Sequence, residues 1–164
     1  MFFSIRALDT NDSKIIADLQ AEVVEDIEDK DTYFSADNKE LKLLLNKSFA
    51  VGVFVGSELV ACGFTIDRQA MKEPIEYKSK SNKDIVWEIH HTITKEKYRN
   101  KGLQRRVIRE LFSQAVEHKA DYVIATIHPN NKASEVGFKS CGFIYDSTIK
   151  KYNADRMVYV RRGK

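Results

Sequence analysis

The stretch Tyr98-Arg99-Asn100-Lys101-Gly102-Leu103-Gln104 joins two segments of different periodicity, and its reading decides the fold. Upstream, Asp84–Thr94 reads as a strand. Downstream, Gly102–His118 carries Leu103, Val107, Ile108, Leu111, Phe112, Ala115 and Val116 at the spacing of a helix with one apolar face. A strand that enters a helix through a basic turn with one glycine exposes unpaired N–H groups at the helix start. Those donors and the helix dipole favour an anion. Gly102 keeps a Cβ out of the way of a phosphate approaching the backbone, while Arg99 and Lys101 supply charge. Arg105, Arg106 and Arg109 follow within two turns, where cations oppose the dipole unless an anion is near. Taken alone, the segment is read equally well as a solvated basic helix face. Neither GxxxxGK[ST] nor GxGxxG occurs in the chain, which removes the usual support for nucleotide hydrolysis or dinucleotide binding.

Working outward, Phe2–Leu8 is expected as the first strand. Asp12-Ser13 is expected to cap a helix along which Ile15, Ile16, Leu19, Val23 and Ile27 recur. A second, short helix holds Leu41, Leu43, Leu44 and Leu45. Phe49–Val55 and Glu58–Ile66 flank Gly56-Ser57, a hairpin signal. Residues 67–83 read as a charged loop. Beyond the central helix come a strand at Tyr122–Ile127, a helix at Asn131–Ser140, and strands at Phe143–Ile149 and Met157–Val160. The order β-α-α-β-β-β-α-β-α-β-β predicts an α/β (α+β) domain over residues 1–164, with one mixed sheet of six to seven strands and about four helices.

With 164 residues, 43% of them hydrophobic and 31% charged, the chain has the composition of a globular protein. A net charge of +3 is too mild to indicate nucleic-acid binding. No apolar run approaches the roughly 20 residues of a membrane span, and residues 1–6 lack the character of a secretory signal. The only cysteines, Cys62 and Cys141, make no disulfide framework, so a reducing cytoplasmic setting is expected. No ligand spacing for a metal is found.

Arg99-x-x-Gly102-x-Gln104 resembles the Q/R-x-x-G-x-G/A diphosphate loop of the GNAT acetyltransferase superfamily, with Gln104 in the place of the last small residue. A second stretch, Asn131-Lys132-Ala133-Ser134-Glu135-Val136-Gly137-Phe138-Lys139-Ser140-Cys141-Gly142-Phe143, is similar to that family's N-x-x-A-x-x-L-Y-x-x-x-G-F segment at the same length. One helix and one strand separate the two, as in the family. The resemblance is close over residues 84–145 and extends to the first 80 residues only in element order. It implies acetyl-coenzyme A bound in a splay between the strands at 84–94 and 121–127. Thr92, Ile93 and Thr94 would lie along the pantetheine. Arg99, Asn100, Lys101, Gly102, Leu103 and Gln104 would meet the diphosphate, and Asn131 and Ser134 would line the next helix start. Asn131 serves as the cap of its own helix in an equally good reading. The family's proton-donating tyrosine corresponds to Phe138, which has no proton to give, so that role is not carried over; water or Tyr145 is left to serve, or no acid is needed.

The strand 84–94 carries the expected chemistry. With period-2 alternation, Ile85, Trp87, Ile89, His91 and Ile93 share one face, with His91 as a core histidine. Glu88, His90, Thr92 and Thr94 share the other. A polar row on a central strand points to a wet cleft rather than a covered face. An acyl acceptor that is an ammonium at neutral pH needs a base. Glu88, from a reference value of about 4.3, and His90, from about 6.5, are the expected catalytic pair. A structural Glu88–His90 pairing is the other reading. Tyr33, Phe34 and His128 are expected to frame the acceptor, a small-molecule or peptide amine. The acidic run Glu22–Asp31 reads either as a lure for that cation or as a solvated helix face. A non-catalytic coenzyme A-binding module is the alternative function. By analogy with the family, a homodimer through the C-terminal strands is compatible with the chain.

Overall fold

A computed structural model describes residues 1–29, 33, 35–70, 77, 81–151 and 154–163. The elements follow in the expected order: β1 (Ser4–Leu8), α1 (Ser13–Asp26), α2 (Asn38–Lys47), β2 (Phe49–Val55), β3 (Glu58–Asp67), β4 (Val86–Thr94), α3 (Leu103–Glu117), β5 (Tyr122–Ile127), α4 (Lys132–Ser140), β6 (Ile144–Lys151) and β7 (Ala154–Arg162). Among the described residues no helix is long and apolar enough to cross a membrane.

Local chemistry accounts for the boundaries. Ahead of α1, Asp9 and Asp12 form a capping box around a single 3-10 turn, and Arg6 clasps both oxygens of Asp12 at 3.0 Å. Asp37 caps α2 through the Glu40 N–H at 2.8 Å. Gly56, at φ 59°, and Ser57 make the tight turn between β2 and β3. β4 begins two residues later than expected, at Val86. β7 extends beyond Met157–Val160 because it is an interior strand bonded to β5 on one side and to β6 on the other.

Seven strands form one sheet in the order β1-β2-β3-β4-β5-β7-β6. All neighbours are antiparallel except β4 and β5, which the α3 crossover makes parallel. Helix α3 covers one face with Leu103, Val107, Ile108, Leu111 and Ala115, joined there by Phe138 of α4 and by Phe143. Helices α1 and α2 cover the other face at the β1–β4 end, burying Ile16, Leu19, Val23, Leu41 and Leu45 against Phe54, Cys62 and Phe64. Each such side chain contributes about 1.5–3 kcal/mol by leaving water.

Helix α3 lies so close to β3 that Gly63 is required beneath it. A Cβ there would stand 2.8 Å from Val107 Cγ1, 2.9 Å from Leu111 Cδ1 and 3.0 Å from Thr92 Cγ2. Gly63→Ala is therefore expected to overpack the interface by about 1–3 kcal/mol and to lower the thermal midpoint by roughly 5 °C. An unchanged midpoint in calorimetry would show that the contact is loose.

Candidate active site

The parallel ladder between β4 and β5 is short: Val86 pairs with Tyr122, Trp87 with Val123 and Glu88 with Ile124. Beyond Glu88 the two strands part. The wedge between them is lined by Tyr33, Ile89, His90, His91, Thr92, Thr126, His128, Asn131, Ser134 and Phe138, among others. Open backbone edges on both strands and a mouth of polar side chains make this a cleft that suits an extended ligand.

At the lip of the wedge, β4 carries a β-bulge. Cys62 pairs with Ile93 but Phe64 with His90, so Gly63 alone stands opposite both His91 and Thr92. His91 takes the left-handed conformation, φ 51°, which histidine enters more often than most side chains. The extra residue reverses the alternation of the strand. This corrects the expected faces. Trp87 and Ile89 lie on the α3 side, but Ile93 lies on the α1/α2 side with Cys62 and Phe64. Thr92 turns toward α3, with Gly63 and Val107, and Thr94 follows it beside Ala61. The expected polar row is thereby divided, leaving Glu88 and His90 on the α1/α2 face. His91 leaves the core face and meets His90, with ring centroids 4.9 Å apart.

Glu88 is buried in an ion pair with Arg68, itself 2% exposed, and Lys151 stands 3.9 Å from its other oxygen. Its oxygens are thus engaged by cations rather than turned to the wedge. Arg68 follows the end of β3 in a 3-10 turn; its position in a charged loop gave no hint of burial. His90 keeps Nε2 closed off from solvent without a hydrogen bond. Burial, reinforced by Lys151 and Arg68, pushes its pKa down to about 3. Burial and the neighbouring His90 push His91 down to about 3 as well, with Glu88 acting in the opposite sense. Both imidazoles are neutral at physiological pH.

Tyr33 reaches the wedge, and its hydroxyl meets Gln20 Oε1 at 2.8 Å and His91 Nδ1 at 3.1 Å. Gln20, a polar residue in the buried stripe of α1, has no counterpart in the sequence expectations. Phe34 lies outside the described residues. His128 lines the wedge, its Nδ1 accepting the Asn130 N–H at 3.0 Å. Asn130 in turn donates to Asp29 at 3.0 Å, which brings the end of the acidic run to the rim. Glu22, earlier in that run, is held by Lys95 at 3.0 Å.

The basic turn ends in Gly102 at φ 76°, and Asn100 is also left-handed at φ 62°. The first helical bond of α3 runs from the Arg106 N–H to the Gly102 carbonyl, so the N–H groups of Leu103, Gln104 and Arg105 precede the ladder. A Cβ at Gly102 would stand 3.3 Å from Arg105 Nη2 and 3.9 Å from its Nε, so the Arg105 guanidinium lies beside the turn. Arg99 donates from Nε to the Thr94 carbonyl at 3.2 Å. Gln104 does not crowd the turn. Its amide swings to α4, donating to Ser134 Oγ at 3.2 Å, into space that a side chain on Gly137 would fill. Asn131 caps α4 by accepting the Ser134 N–H at 3.2 Å. Phe138 is buried edge-on against Phe143. Tyr145 is exposed on β6, bonded to Thr148, and does not line the wedge.

A family model described as the acetyltransferase (GNAT) family matches residues 15–143. The chain belongs to the GNAT acetyltransferase family. No curated protein matches it by sequence. Among solved structures it is similar to an N-acetyltransferase from Staphylococcus aureus Mu50, with 16% identity over 99% of each chain and a TM-score of 0.77. It is also similar to yncA from Salmonella typhimurium, solved with its cofactor acetyl-CoA, at 15% identity, 99% and 94% coverage and a TM-score of 0.74. The ribosomal-protein-S18-alanine N-acetyltransferase from Escherichia coli shares 12% identity over 98% of this chain and 94% of that one, with a TM-score of 0.74. At these identities the likeness concerns the fold.

The paired imidazoles make stability depend on pH in one direction. Their folded pKa values lie below the unfolded value of about 6.5, so the unfolded chain binds more protons as pH falls from 6.5 towards 3. Stability is full above 6.5 and declines below it, by up to about 1.4 kcal/mol per pH unit for each histidine. His91→Asn, which suits the left-handed backbone, is expected to reduce the loss of thermal midpoint between pH 7 and pH 5. An identical pH dependence in both proteins would contradict this.

Proposed function

We propose that this protein transfers the acetyl group of acetyl-coenzyme A to a primary amine of a small molecule or peptide. The observation that carries the reading is the open wedge between β4 and β5, continuous in sequence with a left-handed turn at Gly102 that leads into α3 beneath the Arg105 guanidinium. Thr92, Ile93 and Thr94 run along one wall for the pantetheine. Arg99–Gln104 offer backbone N–H groups and charge to the diphosphate, and Asn131 and Ser134 close the opposite wall.

The reaction proceeds by direct attack. The neutral amine nitrogen adds to the thioester carbonyl, the N–C bond forms, the C–S bond breaks, and the electron pair leaves on sulfur. Neither thiol of the protein suits an intermediate. Cys62 is fully buried and pushed up to about 12 by that burial, and Cys141 is buried at the end of α4 against the Arg105 carbonyl of α3. Of the expected catalytic pair, Glu88 acts as a fixed buried charge whose field favours a proton on His91. Proton removal falls to His91 at the bulge, a neutral imidazole in the lining of the wedge. Tyr33 and His128 frame the amine, and Asp29 at the rim attracts its cationic form from solution.

Gly102→Glu places a carboxylate where the diphosphate would sit, on a left-handed backbone that costs a side chain about 1–2 kcal/mol. The variant is expected to fold, as judged by circular dichroism, and to lose coenzyme A binding in isothermal titration. Normal affinity would remove the diphosphate assignment. For the reaction itself, the wild-type protein is expected to release coenzyme A thiol with at least one member of a panel of polyamines, aminoglycosides, amino acids and peptide N-termini. Tight coenzyme binding without amine-stimulated thiol release would establish instead a non-catalytic acyl-coenzyme A-binding module, a reading that Phe138 in the tyrosine position favours.

A further inference from the structure

We infer that Gln20 and Tyr33 are positioning residues that hold His91 with its proton on Nδ1, making Nε2 the proton acceptor of the reaction. The inference rests, for its chemistry, on the acetyl-transfer reading above, and for its geometry on a count of protons along one chain of hydrogen bonds.

The chain starts at the backbone. Ala36 donates its N–H to Gln20 Oε1 at 3.0 Å, and Gln20 Nε2 donates to the Ala36 carbonyl at 3.2 Å. Gln20 is 2% exposed, so neither contact is exchanged for water. Rotating the amide by half a turn would set donor against donor and oxygen against oxygen, and the orientation is therefore fixed by its partners. Oε1 then faces the Tyr33 hydroxyl at 2.8 Å with no proton of its own to offer. The phenol proton must lie on that contact. With it committed, the Tyr33 oxygen meets His91 Nδ1 at 3.1 Å as an acceptor only, and the proton between them belongs to Nδ1. Two short contacts need two protons, and the phenol has one. A neutral imidazole carrying Nδ1–H has its lone pair on Nε2.

His90 has no comparable chain, because its Nε2 is buried without a partner. Of the two histidines, only His91 has its tautomer set by the fold, and it stands beside Tyr33 and Thr92 in the lining of the wedge. As the amine attacks, one of its protons passes to His91 Nε2, the N–C bond forms, and the C–S bond breaks with its electron pair on sulfur. Burial, His90 and Lys151 disfavour the charge of the resulting imidazolium, with Glu88 acting in the opposite sense. The imidazolium passes the proton to the thiolate, giving amide and free thiol and returning His91 to its starting form. A residue that both receives and delivers the proton leaves no task for a tyrosine at Phe138.

The tautomer is read directly by long-range 15N–1H correlation spectra of the full chain at neutral pH. The expected pattern for His91 is a protonated Nδ1 and an unprotonated Nε2. Tyr33→Phe, which keeps the ring and removes the oxygen, is expected to shift that pattern towards Nε2–H. It should also lower kcat for amine-dependent thiol release about 100-fold, with KM for acetyl-coenzyme A unchanged. A wild-type His91 protonated on Nε2 would overturn the inference, as would a Tyr33→Phe variant whose kcat is unaffected. A wild-type protein that releases no thiol with any amine would instead strike the acetyl-transfer reading, and the spectra of the wild type still decide the tautomer.

Discussion

An extra residue in β4, set opposite Gly63, governs how this site is built. Antiparallel pairing with β3 holds the strand on both sides of the bulge, so the strand cannot slip to absorb it. The consequence is a half-turn of the chain that moves Ile93 under α1 and α2, turns Thr92 and Thr94 towards α3, and pushes two adjacent histidines to the lip of the wedge. Adjacent strand residues ordinarily point to opposite faces. Here the left-handed backbone at His91 brings the rings of His90 and His91 within 4.9 Å. Gly63 serves the same arrangement from the other strand, since α3 presses on the sheet at the point where the bulge adds a residue.

Electrostatics then separates the roles of the polar groups. The carboxylate of Glu88 is surrounded by cations and burial, the imidazoles by burial without a counter-charge in contact. Breaking a buried pair by removing one partner leaves an uncompensated charge worth several kcal/mol, which gives Glu88 and Arg68 a structural hold on the strand just where its pairing with β5 ends. The histidines are free of that constraint. They are neutral groups in the lining of the wedge.

Much of this was legible in the sequence. Periodicity marked the α-helices and strands in order, although Asp12 makes no side-chain bond to the start of α1 and the Asp37 cap of α2 was not expected, and the basic turn with Gly102 pointed to unpaired N–H groups at the helix start. The bulge was not legible. A period-2 reading is correct from Val86 to His90 and inverted beyond, because one residue in a left-handed conformation leaves no mark on composition. Gln20 drew no reading in the sequence, yet it is buried and makes two bonds to Ala36, a contact 16 residues away in the chain. Arg68 sat in a charged loop and proved to be a buried partner of Glu88. Gln104 seemed to crowd the diphosphate turn, but the absence of a side chain at Gly137 gives its amide another place to lie. In each case the missing information was a long-range contact, which local patterns do not contain.

The central claim is that acetyl-coenzyme A occupies the wedge between β4 and β5 with its diphosphate at the start of α3. Amide 15N–1H spectra recorded as coenzyme A is added to the free protein address it most directly. The account predicts that the largest shifts fall on Thr92, Ile93 and Thr94, on Leu103, Gln104 and Arg105, and on the α4 start at Asn131–Ser134. Shifts gathered instead around Glu22, Glu58 and Lys95, with β4 and the α3 start unmoved, would contradict it.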